Sequence, residues 1–286
     1  MRSEAQRPHA LTNEVTNGFR QPKLPIFVHV VLFWCCYLAV LVLASIVKAK
    51  VPPQWAQLVW GLSSSAALLP LTLVFLRRED RTFRDIGLNV EAMSVPRLVA
   101  GIVIGLTIFA VILSLIDIVA GPLHLTRGIA SPGTMADSGC TFLALACMEE
   151  LGFRGYALRT LVRTMGMWRA QTMVALAFGL SHVAFGWSWS NILLGVIPSA
   201  LLFGVAATSS RGLAMPIGVH AGLNFAQWAV SENSGIWKLE FNNQLRPRVD
   251  FVSPIIGIAV TLFVAFLFWR LQIHRERGDA ESSLSN

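Results

Sequence analysis

Charge is what this sequence has least of. Only 14% of its 286 residues are Asp, Glu, Lys or Arg, against 54% hydrophobic, whereas soluble domains carry about a quarter charged residues. With a mean hydropathy of +0.59, a water-soluble globule is excluded. No polar stretch is long enough to build a separate soluble domain, so function must lie within or between apolar segments. Cysteine is sparse. Cys35, Cys36, Cys140 and Cys147 fall in or beside apolar runs with no Cys-x-x-Cys spacing, which excludes a disulfide framework and a cysteine-based metal site. No His-Glu-x-x-His pair occurs, nor any internal repeat of the kind that marks an inverted-repeat transporter.

What is present is apolar length. A bilayer crossing needs about 20 residues, and eight stretches reach or approach it: 26–47, 56–76, 98–120, 138–158, 170–187, 191–209, 212–230 and 252–271. The expectation is an all-α, polytopic integral membrane protein of eight transmembrane helices, in the plasma or inner membrane if bacterial. Of the 23 Lys and Arg residues, six (Lys48, Lys50, Arg127, Lys238, Arg246 and Arg248) fall on one side and the other 17 on the opposite side. The positive-inside rule then sets both termini in the cytoplasm. The net charge of +7 is topology, and nucleic acid is not expected as a partner.

A polar lead of about 24 residues precedes an apolar run of about 22, longer than the core of a cleavable signal. Residues 1–24 are therefore read as a cytoplasmic polar tail, and the last dozen residues look similar. Residues 25–137 hold three spans, 138–232 a polar-bearing core, 233–251 an extracytoplasmic loop, and 252–286 the last span and tail.

Within that core Glu149 and Glu150 stand side by side in Thr141-Phe-Leu-Ala-Leu-Ala-Cys-Met-Glu-Glu-Leu-Gly-Phe-Arg154. One acidic side chain at a helix centre costs roughly 2.5–3.5 kcal/mol on insertion scales, so an intramembrane carboxylate reads as functional. Few other strongly polar residues lie in the spans; His182, His220 and Asn224 do. A helix places His220 and Asn224 on one face, and likewise Glu150 and Arg154. Glu149 is turned about 100° from Glu150, so the two acids are expected in different environments. Counting about 1.5 Å per residue from the expected span ends, Glu149, His182, His220 and Asn224 fall at similar depth on three helices. Gly179, Gly218 and Gly222 supply small side chains for close packing.

Glu, His, His and Asn together suit acyl hydrolysis without a covalent nucleophile. A buried carboxylate, assisted by an imidazole, takes a proton from water. A second imidazole and an amide donate to the oxyanion, at roughly 3–4 kcal/mol per donor. The competing chemistry is zinc held by Glu149, His182 and His220.

These residues also resemble a known family. Glu149-Glu150-x-x-x-Arg154-Gly155, Phe178-x-x-x-His182 and His220-x-x-x-Asn224, in that order on successive helices, are similar to the three motifs of the CPBP family. This family comprises type II CAAX prenyl endopeptidases and Abi-type, bacteriocin-processing enzymes. The resemblance covers roughly residues 138–232. It implies that Glu149 and His182 activate water, that His220 and Asn224 hold the oxyanion, and that Glu150 pairs with Arg154 in support. It also implies a membrane-associated peptide or protein substrate, lipidated in the CAAX branch. The active site is expected among the fourth, fifth and seventh helices, with no cofactor required, zinc being the alternative. Family members have been described both as glutamate-type and as metalloproteases.

Some residues carry plainer readings. Phe178 packs beside the site, Arg159 and Arg163 snorkel, Trp187, Trp189, Trp228 and Trp237 anchor at the interface, and His29 and His124 receive no role. Two functions of other classes stay open: a non-proteolytic immunity or regulatory protein that binds through the same cavity, and a proton-coupled transporter motivated by intramembrane Glu and His.

Overall fold

The structure, a computed structural model, describes residues 25–231 and 235–284. The expected tail 1–24 lies outside the described residues. Of the described residues, 82% are helical. Helices α1 (Ile26–Lys48), α2 (Pro53–Arg78) and α3 (Ser94–Ala120) come first. Pro53 opens α2 at a position where its missing N–H costs nothing, and Arg77 and Arg78 close it where the helix end is negative. Then α4 (Pro132–Glu150), capped by Ser131 Oγ accepting the Thr134 N–H at 3.1 Å, runs through a π-helical turn, Leu151–Gly155, into α5 (Tyr156–Met165). Gly166, at φ +80° where glycine is favoured, turns the chain into α6 (Met167–Ala184). The short α7 (Trp189–Asn191) leads through a second π turn, Ile192–Val196, into α8 (Ile197–Ser209). Finally come α9 (Ala214–Ala229) and α10 (Arg246–Leu284).

Every one of the eight apolar stretches is thus helical, but among the described residues five segments are long and apolar enough to cross a membrane: 26–48, 53–78, 94–120, 189–209 and 243–278. The shortfall has a physical cause. The helices outside that set are α4 to α6 and α9, and these carry the acids, the histidines and Asn224. Polar groups lower their hydropathy, and α9, with 16 residues, spans roughly 24 Å. Such helices need neighbours around them.

Two features depart from the sequence reading. A three-stranded sheet joins β1 (His124–Arg127), β2 (Val230–Ser231) and β3 (Trp237–Glu240) in the order β1-β3-β2. β1 and β3 are antiparallel, with His124 opposite Glu240, while β2 is parallel to β3. The expected loop 233–251 therefore contains a strand, and α10 begins at Arg246 and continues to Leu284, through residues expected to be tail. His29, given no role on position alone, meets Glu79 at 3.3 Å. Glu79 also pairs with Arg81 at 3.0 Å and accepts the Tyr156 hydroxyl, which ties α1 and α2 to α5.

The site's scaffold is the contact of α3 with α9. Gly101 and Gly105 on α3 face Gly218 and Gly222 on α9, with backbone against backbone. A β-carbon on Gly101 would overlap the Met215 carbonyl, and one on Gly222 the Ile102 carbonyl. This is small-xxx-small packing on both partners, and the glycines of α9 flank His220. Gly222→Val is therefore expected to destabilise the bundle by about 1–3 kcal/mol or more through overpacking. Thermal unfolding in detergent checks it, with Gly257→Ala, inside α10 where nothing lies within 4 Å, leaving the melting temperature undiminished or slightly raised.

Candidate active site

The site forms where α4 and its π turn meet α6, α8 and α9. Glu149 and Glu150 end α4, immediately before the π turn. Such turns recur at functional sites, because one inserted residue re-aims the side chains beyond it. All five residues of this one are buried. Gly152, within it, leaves room for the Tyr37 ring of α1, which a β-carbon would strike.

His220 stands between the acids. Its Nδ1 lies 3.0 Å from Glu150 Oε1, and its Nε2 lies 3.6 Å from Glu149 Oε2. A carboxylate only accepts, so Nδ1 is the donor towards Glu150. The ring stacks on Phe203 of α8 at 4.3 Å and 15°. The two carboxylates differ sharply in exposure: Glu149's side chain is 21% exposed and Glu150's is fully buried. The two acids thus stand in different environments, as their spacing predicts, yet share one partner. The imidazole approaches α4 between two positions 100° apart, so each acid reaches one ring nitrogen.

Glu150 is held from the other side by Arg154, Nη1 to Oε1 at 3.1 Å, with both side chains fully buried. Arg154 Nη2 also donates to the Ala200 carbonyl of α8 at 3.1 Å, and the guanidinium lies 4.4 Å over the Phe178 ring. Two buried charges need such partners, because each loses its hydration. Phe178, buried, is the hub of this region: its ring touches Phe153, His182 and His220 at 5.0, 4.7 and 6.2 Å.

His182, half-buried on α6, places Nδ1 2.9 Å from the Phe178 carbonyl. A carbonyl cannot donate, so Nδ1 carries the proton and Nε2 presents its lone pair. The Trp187 ring stands edge-on to it at 5.2 Å. Asn224 sits one turn beyond His220 on α9, half-buried. Glu149, His182 and His220 do not converge on one point: among the described residues, no three His, Cys, Asp or Glu side chains could hold a metal ion. The donor set therefore does not fit a zinc ion bound by all three in this arrangement.

Three contributors escaped the sequence reading: Phe203, the Ala200 carbonyl and Tyr37. The sixth apolar stretch was left out of the site, yet α8 supplies both the stacking ring and a backbone acceptor. Phe203 is a large ring among Ala200, Gly204, Ala206 and Ala207, a contrast that could have marked it. A carbonyl acceptor leaves no mark in a sequence.

Residues 131–226, from the N-cap of α4 into α9, match the family model for Rce1-like, type II CAAX prenyl endopeptidases. The matched stretch is about a third of the chain and contains every residue described above except Tyr37. The match, over less than half of the chain, supports kinship with the CPBP/CAAX protease family, and five apolar helices among the described residues support a membrane-embedded protein. No curated protein matches the chain.

Proposed function

We propose that this chain is an eight-span intramembrane endopeptidase with both termini in the cytoplasm. It hydrolyses a peptide bond of a membrane-associated peptide or protein, of CAAX or bacteriocin type, with water activated by Glu149 and His182. Support for eight spans comes from the helicity of all eight apolar stretches and the 17-to-6 division of basic residues. The observation that carries the catalytic reading is the placement of His220 between a buried, arginine-paired acid and a partly exposed one.

The partly exposed Glu149 takes a proton from water as the water oxygen adds to the scissile carbonyl carbon. His182, with Nδ1–H bound to Phe178, accepts a hydrogen bond from the same water through Nε2. His220 keeps Nδ1–H on Glu150. In this step His220 is an imidazolium with an N–H on each ring nitrogen. Once Glu149 has taken the water proton and lost its charge, the His220 Nε2–H donates a hydrogen bond to the oxyanion, where the Asn224 amide is the second donor. Collapse breaks the C–N bond, and Glu149 returns its proton to the leaving amine. Glu150 and Arg154 orient His220 and touch no reacting atom.

No step is routed through a metal. Cleavage is expected to persist in EDTA and in 1,10-phenanthroline. Inhibition reversed by added zinc would overturn this part of the reading. The activity itself is tested by incubating the purified chain with prenylated and other membrane-anchored peptide libraries beside Glu149→Ala and His220→Ala. Cleavage surviving both substitutions sinks the mechanism. No cleavage of any substrate by wild type, with a cellular phenotype that persists in Glu149→Ala, would favour a non-proteolytic immunity or regulatory protein.

A further inference from the structure

Apart from the catalytic residues, a cavity of about 270 Å³ opens between α3, α4 and α9, under the loop that links α2 to α3. None of Glu149, His182, His220 or Asn224 lines it. Leu98, Leu143, Leu213 and Ile217 make its walls apolar, while Arg97 and Arg211 stand among its lining. We propose that this cavity seats one acyl chain of an acidic phospholipid, with the headgroup phosphate held by Arg97 and Arg211.

Size and chemistry select the occupant. The volume lies just below the range of about 300–1,000 Å³ typical of small-molecule sites, enough for part of one chain and too little for two. Apolar walls would not retain a free phosphate, and guanidinium groups suit a phosphodiester better than a neutral headgroup. Arg97 is paired with Glu91 at 3.6 Å, but the two side chains are 31% and 45% exposed. Exposed pairs of this kind are weak, so exchange of the carboxylate for a phosphate is cheap. Two exposed valines stand at the rim beside Arg97: Val90 is 96% and Val95 69% exposed, which suits contact with a bilayer surface rather than water. Arg97 and Arg211 belong to the majority basic side, where acidic lipid attracts each cation near the surface.

The pocket wall is also built. Gly87, at φ +73°, lies against Gly212, with no room for a β-carbon, and its carbonyl accepts the Leu213 N–H at 3.2 Å. Arg211 is a non-glycine residue at φ +57°, a conformation that persists where surrounding structure holds it and that recurs at ligand sites. The inner wall couples the cavity to catalysis. Cys147 and Ile217 line it, each three residues before Glu150 and His220 and so roughly 4.5 Å away along the helix axis. A seated chain therefore braces the faces of α4 and α9 next to the Glu150–His220 contact.

Native mass spectrometry of the purified full chain tests the proposal, with phosphatidylglycerol and phosphatidylcholine of identical acyl chains added in equal amounts. Wild type is expected to retain one phosphatidylglycerol with about tenfold preference. Leu143→Trp, which fills the cavity, is expected to lose the adduct. Arg97→Gln is expected to keep a bound lipid with little headgroup preference. Equal retention of the two lipids by wild type, or an unchanged adduct in Leu143→Trp, overturns the proposal. Should Leu143→Trp fail to fold, wild type is photolabelled with phosphatidylglycerol bearing a diazirine on one chain. Adducts within 88–98, 143–147 or 213–217 support the site, and adducts confined to other helices overturn it. Displacement of the label by a farnesylated peptide would reassign the cavity to substrate and likewise overturn the lipid reading.

Discussion

Glu149→Gln is expected to lower kcat by about 10²–10⁴-fold, the usual contribution of a positioned general base, while leaving the protein folded. The substitution keeps size and hydrogen-bonding capacity but removes the basic oxygen. At 21% exposure Glu149 is open enough to water for the amide to be tolerated. KM is expected to change little, because the lost interaction develops only as the water proton moves. A melting temperature equal to wild type with cleavage reduced at least a hundredfold is the expected pair of readings. Cleavage within about tenfold of wild type, below the range of general-base effects, would remove Glu149 from that role.

Arg154→Ala is expected to behave in the opposite way and act first on stability. Both members of the Glu150–Arg154 pair are fully buried, and deleting one partner of a buried pair costs about 3–5 kcal/mol, because the other charge is left uncompensated. The guanidinium also joins α4 to α8 through the Ala200 carbonyl and covers the Phe178 ring. Arg154→Lys is expected to recover only part of the loss, since one ammonium cannot reproduce a planar group bridging two acceptors and a ring. Thermal or chemical unfolding in detergent reads both variants. An Arg154→Ala protein as stable as wild type would show that the pair is dispensable. The contrast between the two substitutions separates a group that does chemistry from one that holds His220 in place.

Not every element was equally legible in the sequence. The eight apolar stretches stand out because a bilayer demands length and apolarity together, and each proves helical. The polar residues stand out for the same reason: carboxylates, imidazoles and an amide are conspicuous in apolar helices. The helix carrying His220 was legible less from its own hydropathy than from its motif, since α9 is short and leans on neighbours. The sheet of β1, β2 and β3 was missed because strands of two to four residues show no periodicity of their own. The far end of α10 was missed because its polar residues resemble a tail, although they propagate a helix already nucleated in the preceding apolar run.

By itself, the sequence determined the helical class, the membrane setting and the short roster of side chains able to do chemistry there. These follow from composition and from one-dimensional spacing. Only the tertiary structure decided how that roster is wired. Helical spacing gives the angle of a side chain about its own axis and says nothing of where the next helix stands. Backbone contact between the glycines of α3 and α9 sets His220 at the seam between Glu149 and Glu150, so that both acids reach one ring. It is likewise the approach of α8 that brings Phe203 onto that ring and the Ala200 carbonyl onto Arg154. Distances between helices are set by the packing of side chains far apart in the chain, and that is information the order of residues does not display.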